Sequence, residues 1–345
     1  MSQFEREIRE QPAALARQID EGRAEAEAIA EQIRAFSPRS IMIAARGSSD
    51  NAARYAQYLF GAHNRLSVAL AAPSLFTLYG AAPSLEGALV IGVSQSGQSP
   101  DILAVIEEGR RQGALTIAVT NNPASPLGRA SKACLPLRTG EERAIAASKT
   151  YTAQLAALAT LSAALEGSPA RWAALAALPE QVARAIELTP AAEPLASRFR
   201  FAEHFIVLGR GFNYATAFEV ALKIKETSYV IAEPYSSADF RHGPAAMIDR
   251  GFPVVLIAPD GAVASDVSAL LTMLEARRAE VVVIAADKAL LGRARTAIPL
   301  PEGVPEWLSP IVTVVPGQLF ALGLAETRGL DPDSPRGLSK VTHTL

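Results

Sequence analysis

The stretch VIGVSQSGQSPDILAVIEEGRRQG, residues 90–113, begins and ends greasy, and between lies SQSGQS, with three serines, one glycine, two glutamines and no charge. A buried strand that stops to display hydroxyls and amides just ahead of a helix needs a reason. A helix that starts there offers free N–H groups and the positive end of its dipole, which suits an anion. Ser94, Ser96 and Ser99 add hydroxyl donors, and Gly97 lets the backbone come close. Serines also cap helices, but a cap uses one hydroxyl. The excess of donors points to a phosphate. With no P-loop lysine and no GxGxxG, a phosphate monoester fits better than a nucleotide.

Working outward, residues 1–35 read as one or two amphipathic helices, after which short apolar runs alternate with helical patterns. Residues 40–45, 89–93, 115–120 and the weaker 133–137 read as strands, and 50–60, 100–112 and 149–166 as helices. Continuous apolar strands between helices argue for a parallel sheet covered on both faces. The second half repeats the scheme, with strands at 205–209, 254–258 and 281–285. Gly47 to Ser94 is 47 residues and Gly211 to Pro259 is 48, while Ser94 to Thr116 and Pro259 to Val281 are both 22. Two copies of one α/β unit follow. The second has APDGA where the first has SQSGQ, so the hydroxyl loop belongs to one copy.

Composition narrows the partners. The 345 residues carry a formal net charge of −2 with no basic block, which argues against nucleic acid. One cysteine, Cys134, excludes a disulfide framework and a zinc knuckle, and reads as buried and inert. The four histidines lack metal-ligand spacing, so no metal is expected. The charged N-terminus has no signal-peptide core, and no apolar run reaches a membrane span's length; a cytoplasmic protein is expected.

Several other motifs stand open to two readings. In ARGSSDNAARYA, Asp50 is a candidate cap, Arg46 either steers a phosphate or pairs with an acid, and Ser49 can donate to the same ligand as SQSGQS if the two loops are neighbours. In EVALKIKETSYVIAEPYSSADFRHGP, Glu219, Lys223 and Glu226 fall on one helix face. They form either a solvated salt-bridge stripe or cleft charges, in which case a carboxylate beside a bound sugar carries protons well. His242, in RHGP, reads as a loop histidine, structural or catalytic. TGEERAIAASK puts two acids and an arginine before a helix, with Ser148 a candidate cap, and its chemistry is not legible. The tail SPRGLSK is irregular, with Lys340 near its end.

Taken together, GSS, SQSG, the KxKE helix, RHGP and the terminal PRxLxK resemble the double sugar-isomerase (SIS) domain family, and most closely the isomerase half of glucosamine-6-phosphate synthase and standalone SIS-type deaminases. The likeness runs from IREQP, near residue 8, to the C-terminus. It implies an α/β fold of two SIS domains, each a flavodoxin-like doubly wound parallel sheet. The expected layout is N-terminal helices at 1–34, SIS domains at 35–166 and 200–330 separated by linker helices at 167–199, and a tail at 331–345 covering the active site.

The resemblance also implies roles. Ser49, Ser94, Gln95, Ser96 and Ser99 would hold the sugar phosphate, with serine at 99 where the family has threonine. Ala147 and Ser148 would touch the sugar by backbone, although the family's VAST pattern is only partly kept, and Lys223 would lie beside it. Glu226 would move a proton between C1 and C2, His242 from a partner subunit would assist ring opening, and Lys340 would cover the sugar, where the synthase's matching lysine forms an imine with the ketose. A homodimer with shared active sites is implied, with no cofactor. These residues hold no counterpart of the synthase's glutaminase half. The leading expectation is therefore deamination of glucosamine 6-phosphate to fructose 6-phosphate and ammonia. The alternatives are another amino-sugar phosphate (galactosamine 6-phosphate, or a fructosamine-type substrate) and a non-catalytic phosphosugar-binding protein.

Overall fold

The greasy runs on either side of residues 94–99 fold as a strand and a helix of a parallel α/β layer. The computed structural model describes residues 1–340. Two helices open the chain, α1 (Gln3–Arg9) and α2 (Gln11–Phe36). The first sheet follows as β1 (Ser40–Ala44), α3 (Ser48–Asn64), β2 (Ser67–Leu70), α4 (Ser74–Thr77), β3 (Ala88–Val93), α5 (Pro100–Arg111), β4 (Leu115–Thr120), α6 (Pro126–Ala130), β5 (Ala133–Pro136) and α7 (Lys149–Glu166). Three helices, α8 (Pro169–Ala176), α9 (Leu178–Leu188) and α10 (Ala192–Ala196), precede the second sheet. That sheet runs β6 (His204–Gly209), α11 (Tyr214–Ser228), β7 (Ile231–Ser236), α12 (Ser237–Arg241), β8 (Pro253–Ala258), α13 (Ala264–Ala276), β9 (Glu280–Ala285), α14 (Lys288–Arg293), β10 (Thr296–Pro299) and α15 (Ser309–Thr327).

Both sheets are parallel and five-stranded, ordered β2-β1-β3-β4-β5 and β10-β9-β8-β6-β7. Renumbered within each copy, the two orders are the same flavodoxin-like 2-1-3-4-5. Every residue of β3 and β4 is buried, as strands covered on both faces require. The repeat reaches individual side chains. Each copy's first strand is followed by Arg-Gly with the glycine at positive φ, Gly47 at +56° and Gly211 at +59°. Each arginine faces an aspartate in the first turn of the next helix along the crevice. Arg46 Nε is 2.7 Å from Asp101 Oδ2, and Arg210 Nε is 4.0 Å from Asp266 Oδ2.

By its contacts the chain forms two units, each with its own sheet. The first sheet's unit holds Ala13–Glu142, Lys149–Ala177 and, of the expected tail, Ser339 and Lys340, residues 341–345 lying outside the described residues. The second sheet's unit holds Met1–Pro12, Arg143–Ser148 and Leu178–Leu338. The strands β2, β7 and β10 and helices α4, α6 and α12–α15 are additions to the sequence reading.

Two expectations need correction. Asp50 does not cap α3: Gly47 stands at the cap position, and Asp50 pairs with Arg54 one turn on at 3.0 Å. The helix starts earlier than the apolar pattern suggested. By length and composition α15 could also cross a membrane, contrary to the reading that no run was long enough. Yet 89% of its apolar window is buried in the protein, against α11 among others, so it is a core helix.

Candidate active site

Residues 94–99 connect β3 to α5 at the carboxyl edge of the first sheet, beside β1, where the strand order reverses. Ligands of open α/β sheets bind at this point. The loop is fixed from below: Asn121 N–H and Thr120 Oγ1 both donate to the Gln95 carbonyl at 3.1 Å, and Leu127 N–H donates to that of Gly97 at 3.2 Å. Gly97 has φ +64°, and a Cβ there would lie 2.0 Å from Ser125 Oγ, so only glycine fits. Ser94 Oγ accepts from Gly97 N at 3.2 Å and Ser96 Oγ from Gln98 N at 3.3 Å, which leaves both hydroxyl protons available to an anion. Ser99 is the N-cap of α5, yet its side chain makes no capping bond. The bland explanation of these serines as caps thus fails at the one position where it should hold.

The turn after β1 brings Ser49 to the same edge, since β1 and β3 are adjacent and parallel. Its hydroxyl accepts from Gln154 Nε2 of α7 at 2.8 Å, which again leaves the proton for a ligand. Of the two readings of Arg46, the pairing with an acid is seen: its Nε donates to the buried Asp101 carboxylate.

The second copy explains why only one loop carries hydroxyls. Its counterpart, residues 259–263, gives the Ala262 N–H to the Glu306 carboxylate at 2.8 Å. A Cβ on Gly261 would meet that carboxylate at 2.3 Å. An internal anion already occupies the N-terminal end of α13.

In the second sheet's unit, α11 carries Glu219, Lys223 and Glu226 as a linked set. Lys223 Nζ lies 2.5 Å from Glu226 Oε2 and 3.4 Å from Glu219 Oε1. Lys223 and Glu219 are fully buried and Glu226 is 22% exposed, so the solvated-stripe reading is excluded. The Lys223 ammonium lies between two carboxylates, and pairing of this kind offsets part of what burial costs a charge. Glu226, the partly exposed end, is the one able to meet a ligand.

His242 ends α12 and stands exposed. RHGP is more ordered than a loop: Ser236 Oγ accepts from Asp239 N at 3.2 Å to start α12, and a short 3₁₀ turn covers Pro244–Met247. Ala147 and Ser148 belong to this unit too, in a segment anchored by the buried Glu7 of α1, whose carboxylate accepts from Arg143 N (2.6 Å) and Ala144 N (3.1 Å).

Lys340 lies with the first sheet's unit, where its Nζ is 3.0 Å from Glu142 Oε2. The sequence singled out TGEER without finding this role, because only the fold brings residue 340 to residue 142. Cys134 is partly buried and its thiol is pushed up to about 11, mainly by burial, so it remains a thiol at neutral pH. Among the described residues no three His, Cys, Asp or Glu side chains gather as a metal-ligand set.

A doubly wound sheet with a hydroxyl-lined loop at its switch point, duplicated with the second copy's loop bonded to an internal carboxylate, defines a duplicated α/β protein of flavodoxin-like topology. Residues 36–164 and 199–328 each match the SIS domain, and the chain belongs to that family. The chain is 32% identical over 339 residues to the glutamine–fructose-6-phosphate aminotransferase (isomerizing) of Aquifex aeolicus, covering 97% of this chain and 57% of that protein. The corresponding protein of Thermococcus kodakarensis is 35% identical over 346 residues, with 97% and 57% covered. The chain thus spans a little over half the length of these relatives. Among solved structures, the C-terminal domain of glucosamine-fructose-6-phosphate aminotransferase from Francisella tularensis superposes with a TM-score of 0.87 at 28% identity, covering 97% of this chain and 98% of that one. Glucosamine-6-phosphate deaminase of Thermotoga maritima shares the fold at TM-score 0.73 and 23% identity, covering 96% and 100%.

Proposed function

We propose that this phosphosugar-isomerase-family protein deaminates glucosamine 6-phosphate, giving fructose 6-phosphate and ammonia. The observation that carries the reading is the buried Glu219–Lys223–Glu226 set with Glu226 at its accessible end. A phosphosugar sensor needs only the anion loop; an isomerase also needs a positioned carboxylate.

In the proposed reaction the loop hydroxyls of Ser94, Ser96 and Ser99, with Gln95 and Ser49, hold the phosphate. His242 assists ring opening, which exposes the C1 aldehyde. Glu226 removes the C2 proton, O1 takes a proton from solvent as the enolamine forms, Glu226 returns its proton to C1, and the nitrogen gives up one proton to solvent. The product is an imine at C2, with C1 now a hydroxymethyl group. Water adds to C2 and ammonia leaves, so one water enters for each ammonia released. Lys223 balances the charge on Glu226, Ala147 and Ser148 line the sugar, and Lys340 covers it. We also propose a cytoplasmic homodimer in which His242 serves the partner's site.

Purified protein given glucosamine 6-phosphate should release ammonia and fructose 6-phosphate in equal amounts. A panel with galactosamine 6-phosphate and a fructosamine-type 6-phosphate sets the substrate. Release from neither sugar class, with phosphosugar binding intact, would leave a binding protein.

A further inference from the structure

We propose that Glu142 is a positioning residue for Lys340, the dock from which the tail's lysine is presented to the ketose. The inference rests on reading this chain as a phosphosugar isomerase whose Lys340 meets the sugar. Glu142 has no exposed side-chain surface, and a buried carboxylate must be matched by donors. One oxygen, Oε1, accepts from Thr150 N in the first turn of α7 at 3.0 Å. The other, Oε2, accepts from Lys340 Nζ at 3.0 Å. A helix start favours an acidic acceptor, and the lysine brings a full counter-charge to the same carboxylate.

The tail gives this contact its weight. After α15 the described residues form no further helix or strand, so no backbone ladder holds Lys340 in place. Asp333 accepts from Gln3 N (2.6 Å) and Phe4 N (2.8 Å) at the start of α1. Arg336 donates its N–H to Tyr229 Oη at 2.9 Å, with its guanidinium 4.6 Å from that ring's centre. Glu142 is the contact at the reactive side chain itself. Lys340 is 26% exposed, so its ammonium is docked rather than waving in solvent. An exposed pair would hold it only loosely.

Imine formation reads out the placement directly. Lys340 loses its ammonium proton to solvent, its nitrogen bonds to C2 of open-chain fructose 6-phosphate, and the C2 oxygen leaves as water. Borohydride then delivers hydride to C2 and fixes a secondary amine. The full chain is incubated with fructose 6-phosphate and borohydride, digested, and the modified Lys340 peptide is measured by mass spectrometry. Glu142→Gln keeps the shape and the Thr150 acceptor but removes the charge. The trapped fraction should fall about ten- to a hundredfold, the cost of misplacing a reacting group. The affinity for inorganic phosphate, held in the proposed reading by residues 94–99, should stay unchanged. Should that variant fail to fold, Glu142→Asp retains the charge, draws it back by one methylene, and carries the same expectation. Equal trapping in wild type and variant would overturn the inference and leave the proposed reaction standing. No adduct at Lys340 in wild type would overturn the lysine's role, and the inference with it.

Discussion

Replacing Lys223 by methionine separates two accounts of the α11 charges by magnitude. Methionine has nearly the length of the lysine stem and no charge, so packing is largely kept. On a solvated helix face the loss would be about 0.3–0.5 kcal/mol per pair. Here Lys223 and Glu219 are fully buried and the ammonium is shared at 2.5 and 3.4 Å with Glu226 and Glu219. Removing it strands the Glu219 carboxylate without its cation, and breaking such a buried pair costs about 3–5 kcal/mol. For a unit of this size 1 kcal/mol corresponds to roughly 2–4 °C, so the transition of the second sheet's unit should drop by roughly 6–20 °C. Differential scanning calorimetry reads this. The double variant Glu219→Gln, Lys223→Met should recover part of the loss by neutralising the stranded acid. A drop equivalent to less than about 1 kcal/mol would refute the buried-charge argument and return the three residues to a surface stripe.

Ser96→Ala should raise KM for the phosphorylated sugar about ten- to a hundredfold, by loss of a charge-assisted hydrogen bond worth roughly 1.5–3 kcal/mol; steady-state kinetics check this, with non-phosphorylated glucosamine a poor substrate for wild type. Mixing two inactive variants, His242→Ala and Glu226→Gln, should restore about a quarter of wild-type activity if each subunit lends its histidine to the other, and none if His242 serves its own chain. His63 is held below the usual histidine range by burial and then by Arg171, against Glu166. Because the folded state disfavours the proton, its contribution is present above about pH 6.5 and is lost as pH falls through the folded value. Melting temperatures from pH 8 to 5 should fall less steeply for His63→Gln than for wild type.

The strands and long helices were legible because they bury continuous apolar runs, and the duplication because its spacing repeats. The edge strands β2 and β10, four residues each, carry too little pattern to declare themselves. Helix α3 begins at Ser48 although the apolar pattern starts at Asp50, because its first turn is made by backbone geometry at Gly47. For the site, SQSGQS drew the eye because it holds more hydroxyls than one helix cap uses. Whether Glu219, Lys223 and Glu226 were wet or buried depended on what α15 packs against, which no local pattern records. Glu142 with Lys340, Asp333 with α1, and Glu306 in the second loop join residues far apart in sequence, and each looked like an ordinary surface charge until folded.

The central claim is that Glu226 moves the C2 proton of a bound amino-sugar phosphate. It is tested most directly by incubating enzyme and glucosamine 6-phosphate in deuterated water and following the C2 proton by NMR alongside ammonia release. Wild type should exchange the proton and release ammonia. Glu226→Gln should do neither, with kcat lower by about 10²–10⁴ and sugar-phosphate binding retained. Exchange and ammonia release at near wild-type rates in that variant would contradict the account.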